Sequence, residues 1–161
     1  MVKSSGVMEK SLNSVLSELL INTFNNILTI EEYVIKKGPL ENLTVTEIHT
    51  IDAIGMYKAR SMSDIVGDLS ITIGTLSTGI NNLVRKGYVT RKRDEKDRRV
   101  VNISLTRQGK IAYRVHEKFH LDMIKETIKE LTEEEEKVLL NSLEKLTNYF
   151  QERYPIKVEK E

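Results

Sequence analysis

The chain has 161 residues, 39% hydrophobic and 30% charged, enough for one packed domain with helical extensions. It contains no cysteine, which excludes disulfides, thiol catalysis, thiolate zinc sites and cysteine redox sensing. Its 25 basic and 24 acidic side chains leave a net charge of +1, so only the distribution of charge can speak to nucleic acid; no apolar run has the length of a signal core or membrane span, and a cytoplasmic location without a membrane partner is expected.

In chain order, the first predicted element runs from about Met8 to Lys37. Leu12, Val15, Leu16, Leu19, Leu20 and Phe24 recur at spacings of three and four, and Gly38-Pro39 ends the pattern. A helix this long exceeds what a small domain needs, so part of it is expected to pack on a second subunit. Thr44-Val45-Thr46-Glu47 reads as a capping box opening a helix through about Tyr57. Ser61 to Asp64 repeats that logic and opens a short helix through about Asp68.

The next helix spans Thr72 to Lys86, with Ile73, Leu76, Ile80, Leu83 and Val84 on one side and Gly87 as a left-handed terminator. Tyr88–Arg91 and Val100–Leu105 read as two strands, joined by the charged tip Lys92–Arg99. Thr106 caps a helix from Arg107 to about Glu130, and the box Thr132–Glu135 opens a last helix to about Glu152. The fold class is therefore mainly α with a small β-hairpin wing: a winged helix-turn-helix with surplus helices at both ends. The expected organisation is a dimerisation helix over 1–37, the winged module over 38–106, and C-terminal dimerisation helices over 107–161.

Between Arg85 and Lys110 there are ten basic side chains against three acidic ones, a local net charge of +7, while the remainder of the chain carries −6. A basic ridge on a neutral protein suits a phosphate backbone. The Thr72–Lys86 helix presents Thr75, Thr78, Asn82 and Arg85 opposite its apolar stripe, with Ser77 and Asn81 at the flanks and no acid. Short hydroxyl and amide side chains admit close approach to a major-groove floor. Gly74 and Gly79 weaken the helix and make sense where a surface comes close to another molecule. Thr72 can present backbone N–H groups to a phosphate. Arg93, Lys96, Arg98 and Arg99 at the hairpin tip can cross the backbone toward an A·T-rich minor groove, with Asp97 aiming an arginine. Lys86 completes the set of candidate DNA contacts.

The runs NNLVRKGYVTR (Asn81 to Arg91) and DRRVVNISLT (Asp97 to Thr106) resemble the recognition helix and wing of the MarR family of repressors. The resemblance implies a homodimer whose terminal helices interlock and whose winged domains read two half-sites of a palindromic, A·T-rich operator in double-stranded DNA. It places the Thr72–Lys86 helix in the major groove, Arg98 in the minor groove and Asp97 behind the wing arginines. NNILTIEE (Asn25 to Glu32), EIHTIDAIG (Glu47 to Gly55), TIGTLSTGINNLVRKGYV (Thr72 to Val89) and VHEKFHLDMI (Val115 to Ile124) carry a narrower resemblance, to the repressors of fatty-acid synthesis genes within that family. That resemblance implies an acyl chain on acyl carrier protein, or another apolar molecule, as effector. Phe24, Ile27, Leu28, Ile51, Ile54, Phe119 and Met123 are its candidate lining, with His49 or His120 as a polar end; simple core packing is the alternative.

His116-Glu117-Lys118-Phe119-His120 is literally H-E-x-x-H, the pattern of a zinc metallopeptidase. The one other histidine, His49, lies upstream, and no glycine-bearing substrate cleft follows. Packing in a subunit interface or ligand pocket is the expected role of the pair, with no catalytic residue, metal or cofactor assigned. A protein-binding adaptor on the same scaffold is the remaining alternative, opposed by the basic ridge and the acid-free helix face.

Overall fold

The computed structural model describes residues 11–95, 97 and 99–154. The chain divides into two compact units, residues 1–45 and 46–161.

The first unit is built on α1 (Leu12–Lys37), capped by the Ser11 hydroxyl, which accepts from the Ser14 N–H. Its apolar stripe is largely open: Leu12, Leu19, Phe24 and Leu28 are all more than half exposed. Gly38 ends it at a spot where a Cβ would lie 2.9 Å from the Val34 carbonyl oxygen. Leu40 and Leu43, buried, close the following turn through a Leu43 N–H to Leu40 carbonyl bond.

The second unit carries α2 (Val45–Ile54), β1 (Arg60–Ser61), α3 (Met62–Leu69), α4 (Ile73–Arg85), β2 (Val89–Arg93), β3 (Val101–Leu105), α5 (Arg107–Ile128) and α6 (Glu133–Arg153). Its core joins Ile48, Ile51 and Ile54 of α2, Ile65 of α3, Leu76, Ile80 and Leu83 of α4, and Ile103 of β3, each exposed by 1% or less. These are the inner-face positions that helical and strand periodicity select. Helix α2 stops three residues before Tyr57 because Gly55 adopts φ 75°, a left-handed turn that ends the ladder.

The sheet is three-stranded and antiparallel in the order β1-β3-β2. In the hairpin, Val89 pairs with Leu105, Arg91 with Ile103 and Arg93 with Val101. Strand β1, which sequence reading did not find, pairs Arg60 with Ile103 and Ser61 with Asn102 on the other edge of β3. Two residues are too few to show an alternating pattern. Its Arg60 guanidinium is held by the Ala53 carbonyl at 2.5 Å and by Asp68 at 2.6 Å. The capping boxes at Ser61–Asp64 and Thr132–Glu135 are both formed. The last helix, α6, buries none of its residues, and no described helix is long and apolar enough to cross a membrane.

Candidate nucleic-acid interface

Helix α4 is fixed at both ends. Thr72 caps it, its Oγ1 accepting from the Thr75 N–H at 3.1 Å. At the other end Gly87 takes φ 82°, and two bonds close the turn: Gly87 N–H to the Val84 carbonyl and Tyr88 N–H to the Leu83 carbonyl. Helix α5 then seats on this turn. The Thr106 hydroxyl donates to the Gly87 carbonyl at 2.7 Å, and Gly109 lies so close that a Cβ there would stand 2.1 Å from the Tyr88 carbonyl oxygen.

With Leu76, Ile80 and Leu83 buried, the opposite face of α4 is open. Thr72, Thr75, Thr78, Asn81 and Arg85 are exposed, and Ser77 and Asn82 are half-buried. Two polar ties pre-set this face. Arg85 donates to the Asn82 amide oxygen at 2.9 Å, and Arg91, reaching across from β2, donates to the amide oxygen of Asn81. Arg91 is absent from the sequence-derived contact set; the register that brings it beside α4 exists only once the hairpin is folded. The two helix glycines differ. A Cβ at Gly74 would meet little besides the Thr72 hydroxyl at 3.8 Å, whereas one at Gly79 would point at Thr50 of α2, 3.9 Å away. Gly79 therefore faces α2, where a methyl would make only an ordinary contact, and the close-approach argument is left with Gly74.

Lys86 is placed differently from the other basic candidates. Its Nζ donates to both carboxylate oxygens of Glu47, at 2.8 and 2.7 Å, in a half-buried pair. That charge is already matched within the protein.

At the wing, Arg93, Asp97 and Arg99 are exposed; Lys96 and Arg98 lie outside the described residues. The acids there fold the loop. Asp94 accepts from the Asp97 N–H and from the Asn102 amide, and the Asp97 carboxylate accepts from the Arg99 N–H. Asp97 thus positions Arg99 through its backbone. Lys92 pairs with Glu95 at 3.0 Å.

The candidate effector residues are divided between the units. Phe24 and Leu28 are exposed and Ile27 half-buried on α1. In the second unit Ile51 and Ile54 are sealed in the core, while His49, Phe119, His120 and Met123 are half-buried. Glu117 of the H-E-x-x-H run is exposed, whereas His116 is buried, so the run does not gather the base and ligands of a peptidase on one surface.

Comparison with known proteins agrees with this geometry. The model of the MarR family matches residues 43–101, the stretch from before α2 to the start of β3. The crystal structure of Streptococcus pneumoniae FabT in complex with DNA is 38% identical, covers 85% of this chain and 96% of its own, and superposes with a TM-score of 0.80. The S. aureus MepR–DNA complex, at 23% identity and TM-score 0.66, covers 89% of this chain and 100% of its own and shares the fold. The HTH-type transcriptional regulator BilQ of Clostridium symbiosum is 26% identical over 107 residues, 66% of this chain and 74% of that protein. With an acid-free helix face beside a basic wing and relatives that are regulators throughout, the chain belongs to the MarR family of winged-helix transcriptional regulators, which bind DNA and are not enzymes.

Proposed function

We propose that this protein is a homodimeric repressor that reads a palindromic, A·T-rich operator of fatty-acid or lipid synthesis genes and answers to an acyl chain on acyl carrier protein or a similar apolar effector. The observation that carries the DNA reading is the open α4 face, where Thr75, Thr78, Asn82 and Arg85 stand at helical spacing with Arg91 and the wing beside them. Bases are read by Asn82 and Thr78, and Thr72, Arg85, Arg93 and Arg99 meet phosphates, as does Lys96; Arg98 enters the minor groove.

Two-fold association is supported by apolar surface that has no use on a monomer. Leu12, Leu19 and Leu28 on α1, and Val138, Leu143 and Phe150 on α6, are each about half exposed or more. Exposed large hydrophobes at helical spacing mark a protein interface. The lipid reading is supported by the 38% identity to a FabT structure and by the segments that resemble fatty-acid repressors. Within the second unit, with Ile51 and Ile54 sealed in the core, His49, Phe119, His120 and Met123 are the candidate lining residues that keep some exposure.

Selection from a random DNA pool tests the first part. Bound sites should show two-fold symmetry with half-sites about one helical turn apart, ~10 bp. Sites without symmetry, or binding as a monomer, would refute the dimeric reading. Thermal denaturation with long-chain acyl-acyl carrier protein, acyl-CoA and free fatty acid tests the second, because a ligand specific for the folded state raises the melting temperature. If no acyl species moves melting or operator affinity, the lipid reading fails and the DNA reading stands.

A further inference from the structure

The His116/His120 pair has no part in reading DNA, yet its geometry is specific. His116 on α5 is 3% exposed, and its Nδ1 lies 2.6 Å from Asp52 Oδ2 of α2. An ionised carboxylate only accepts, so Nδ1 carries the proton and, in the neutral ring, Nε2 is the nitrogen that presents a lone pair. One helical turn on, His120 places its own Nε2 3.1 Å from that atom. His49 of α2 sets a third imidazole nearby, its ring centroid 5.6 Å from that of His116. Phe119 flanks both α5 histidines, at 6.4 and 5.1 Å between centroids.

We infer that His116 and His120 are two ligands of a binding site for a borderline divalent transition metal of the zinc class, with Asp52 as its buttress. The spacing fits. Nitrogens each ~2.0–2.1 Å from one tetrahedral ion stand about 3.3–3.4 Å apart, so the pair needs to open by only a few tenths of an ångström. When the ion enters, the hydrogen bond between the rings is replaced, and the His120 proton moves from Nε2 to Nδ1. His116 needs no such change, because Asp52 already fixes the ligating tautomer. A carboxylate behind a metal-bound histidine is the usual way to hold the ring and raise its basicity. Imidazole ligands select zinc, nickel, copper or cobalt over magnesium and calcium, which require oxygen. Glu117 points to solvent, so the site is suited to holding an ion and not to hydrolysis. The ligands and their buttress join α2 to α5 inside the second unit, and α2 is the helix whose Glu47 holds the end of α4.

The test is metal binding by the full-length protein after chelator treatment, with no DNA or acyl ligand present, so that its result is separate from the proposed function. Zn2+ titrated in competition with a fluorescent zinc chelator should fill one site per chain, and excess Mg2+ should not displace it. His120→Ala, a half-buried position that leaves the fold intact, should weaken binding about tenfold or more, as should Asp52→Asn, which touches no metal. Co2+ should give the absorption of a tetrahedral site in the wild type and lose it in His120→Ala. His116→Ala removes a buried side chain, so the other two variants carry the decision. Equal Zn2+ affinity in wild type and His120→Ala, or no competition with the chelator at all, would overturn the site; full affinity in Asp52→Asn would overturn the buttress.

Discussion

Lys86, the residue that closes α4, gives its ammonium to both oxygens of Glu47, 39 residues earlier and 8% exposed at its side chain. This bond fixes the far end of α4 to α2. Lys86→Met leaves a buried carboxylate with one cation fewer, and about 1–3 kcal/mol of stability should be lost, below the range for fully buried pairs because Lys86 is 26% exposed. Urea denaturation measures it. The same variant should leave the salt dependence of DNA binding unchanged, since its charge faces Glu47. Arg85→Ala should instead make the log–log salt slope shallower by about one phosphate contact. Equal slopes for both variants would return Lys86 to the set of phosphate contacts.

Thr78→Ala and Asn82→Ala should relax base preference, each by about 1–3 kcal/mol at one position of the half-site, with little effect on non-specific affinity. The Arg85–Asn82 bond adds a condition. The two side chains act as one contact, so the double variant should depart from additivity by about 0.5 kcal/mol or more. Competition binding on operators altered one base pair at a time reads both effects.

Wing variants should behave differently from these. Arg98→Ala and Arg99→Ala should weaken binding most on A·T-rich flanks, where the narrow groove concentrates negative potential. Unchanged affinity at moderate salt for both would remove the wing from the interface.

Three glycines give a stability test with opposite signs. Gly109→Ala drives a methyl to 2.1 Å from the Tyr88 carbonyl, backbone against backbone, and should cost about 3 kcal/mol or more. Gly74→Ala and Gly79→Ala meet only ordinary contacts and should stabilise α4 by about 0.5–1 kcal/mol each. Gly74→Ala should nonetheless weaken DNA binding, and Gly79→Ala should not. Melting curves and operator titrations on the three variants separate these outcomes.

The Ser61–Asp64 box carries a pH signature. Hydrogen bonds from the Ser61 side chain and backbone, then the Arg60 charge, hold the Asp64 carboxyl below its ordinary range despite slight desolvation. A carboxyl depressed in the folded state stabilises above its unfolded value, and that contribution disappears as pH falls through the folded one. Ser61→Ala should therefore lower stability at neutral pH, and the difference from wild type should shrink in acid; urea denaturation at both pH values measures it.

The helices of the second unit were legible because their signals are local. Thr72, Thr106 and Thr132 announce starts, Gly87 announces a stop, and Leu76, Ile80 and Leu83 fall on one stripe. What escaped was set by contacts distant in sequence. The Glu47–Lys86 pair and the Arg91–Asn81 tie depend on folded register, and Glu47 read as a capping residue until its partner was visible. Gly55 was available as a terminator for α2, and the expected end at Tyr57 ran past it. The Arg99 N–H bond to the Asp97 carboxylate is another contact of the folded loop that residue types alone do not specify.

Strand β1 gives the wing its mechanics. Because β3 is held on both edges, by β1 near Ile103 and by β2 along the hairpin, the root of the wing is clamped to the helical body, while none of the described residues at its outer end belongs to the core. The wing is a cantilever. Load at its outer end is carried by the root, so the charge and length of that end can change over evolution with little cost to folding. On the proposed reading, preference for the minor groove can then drift separately from base reading by α4.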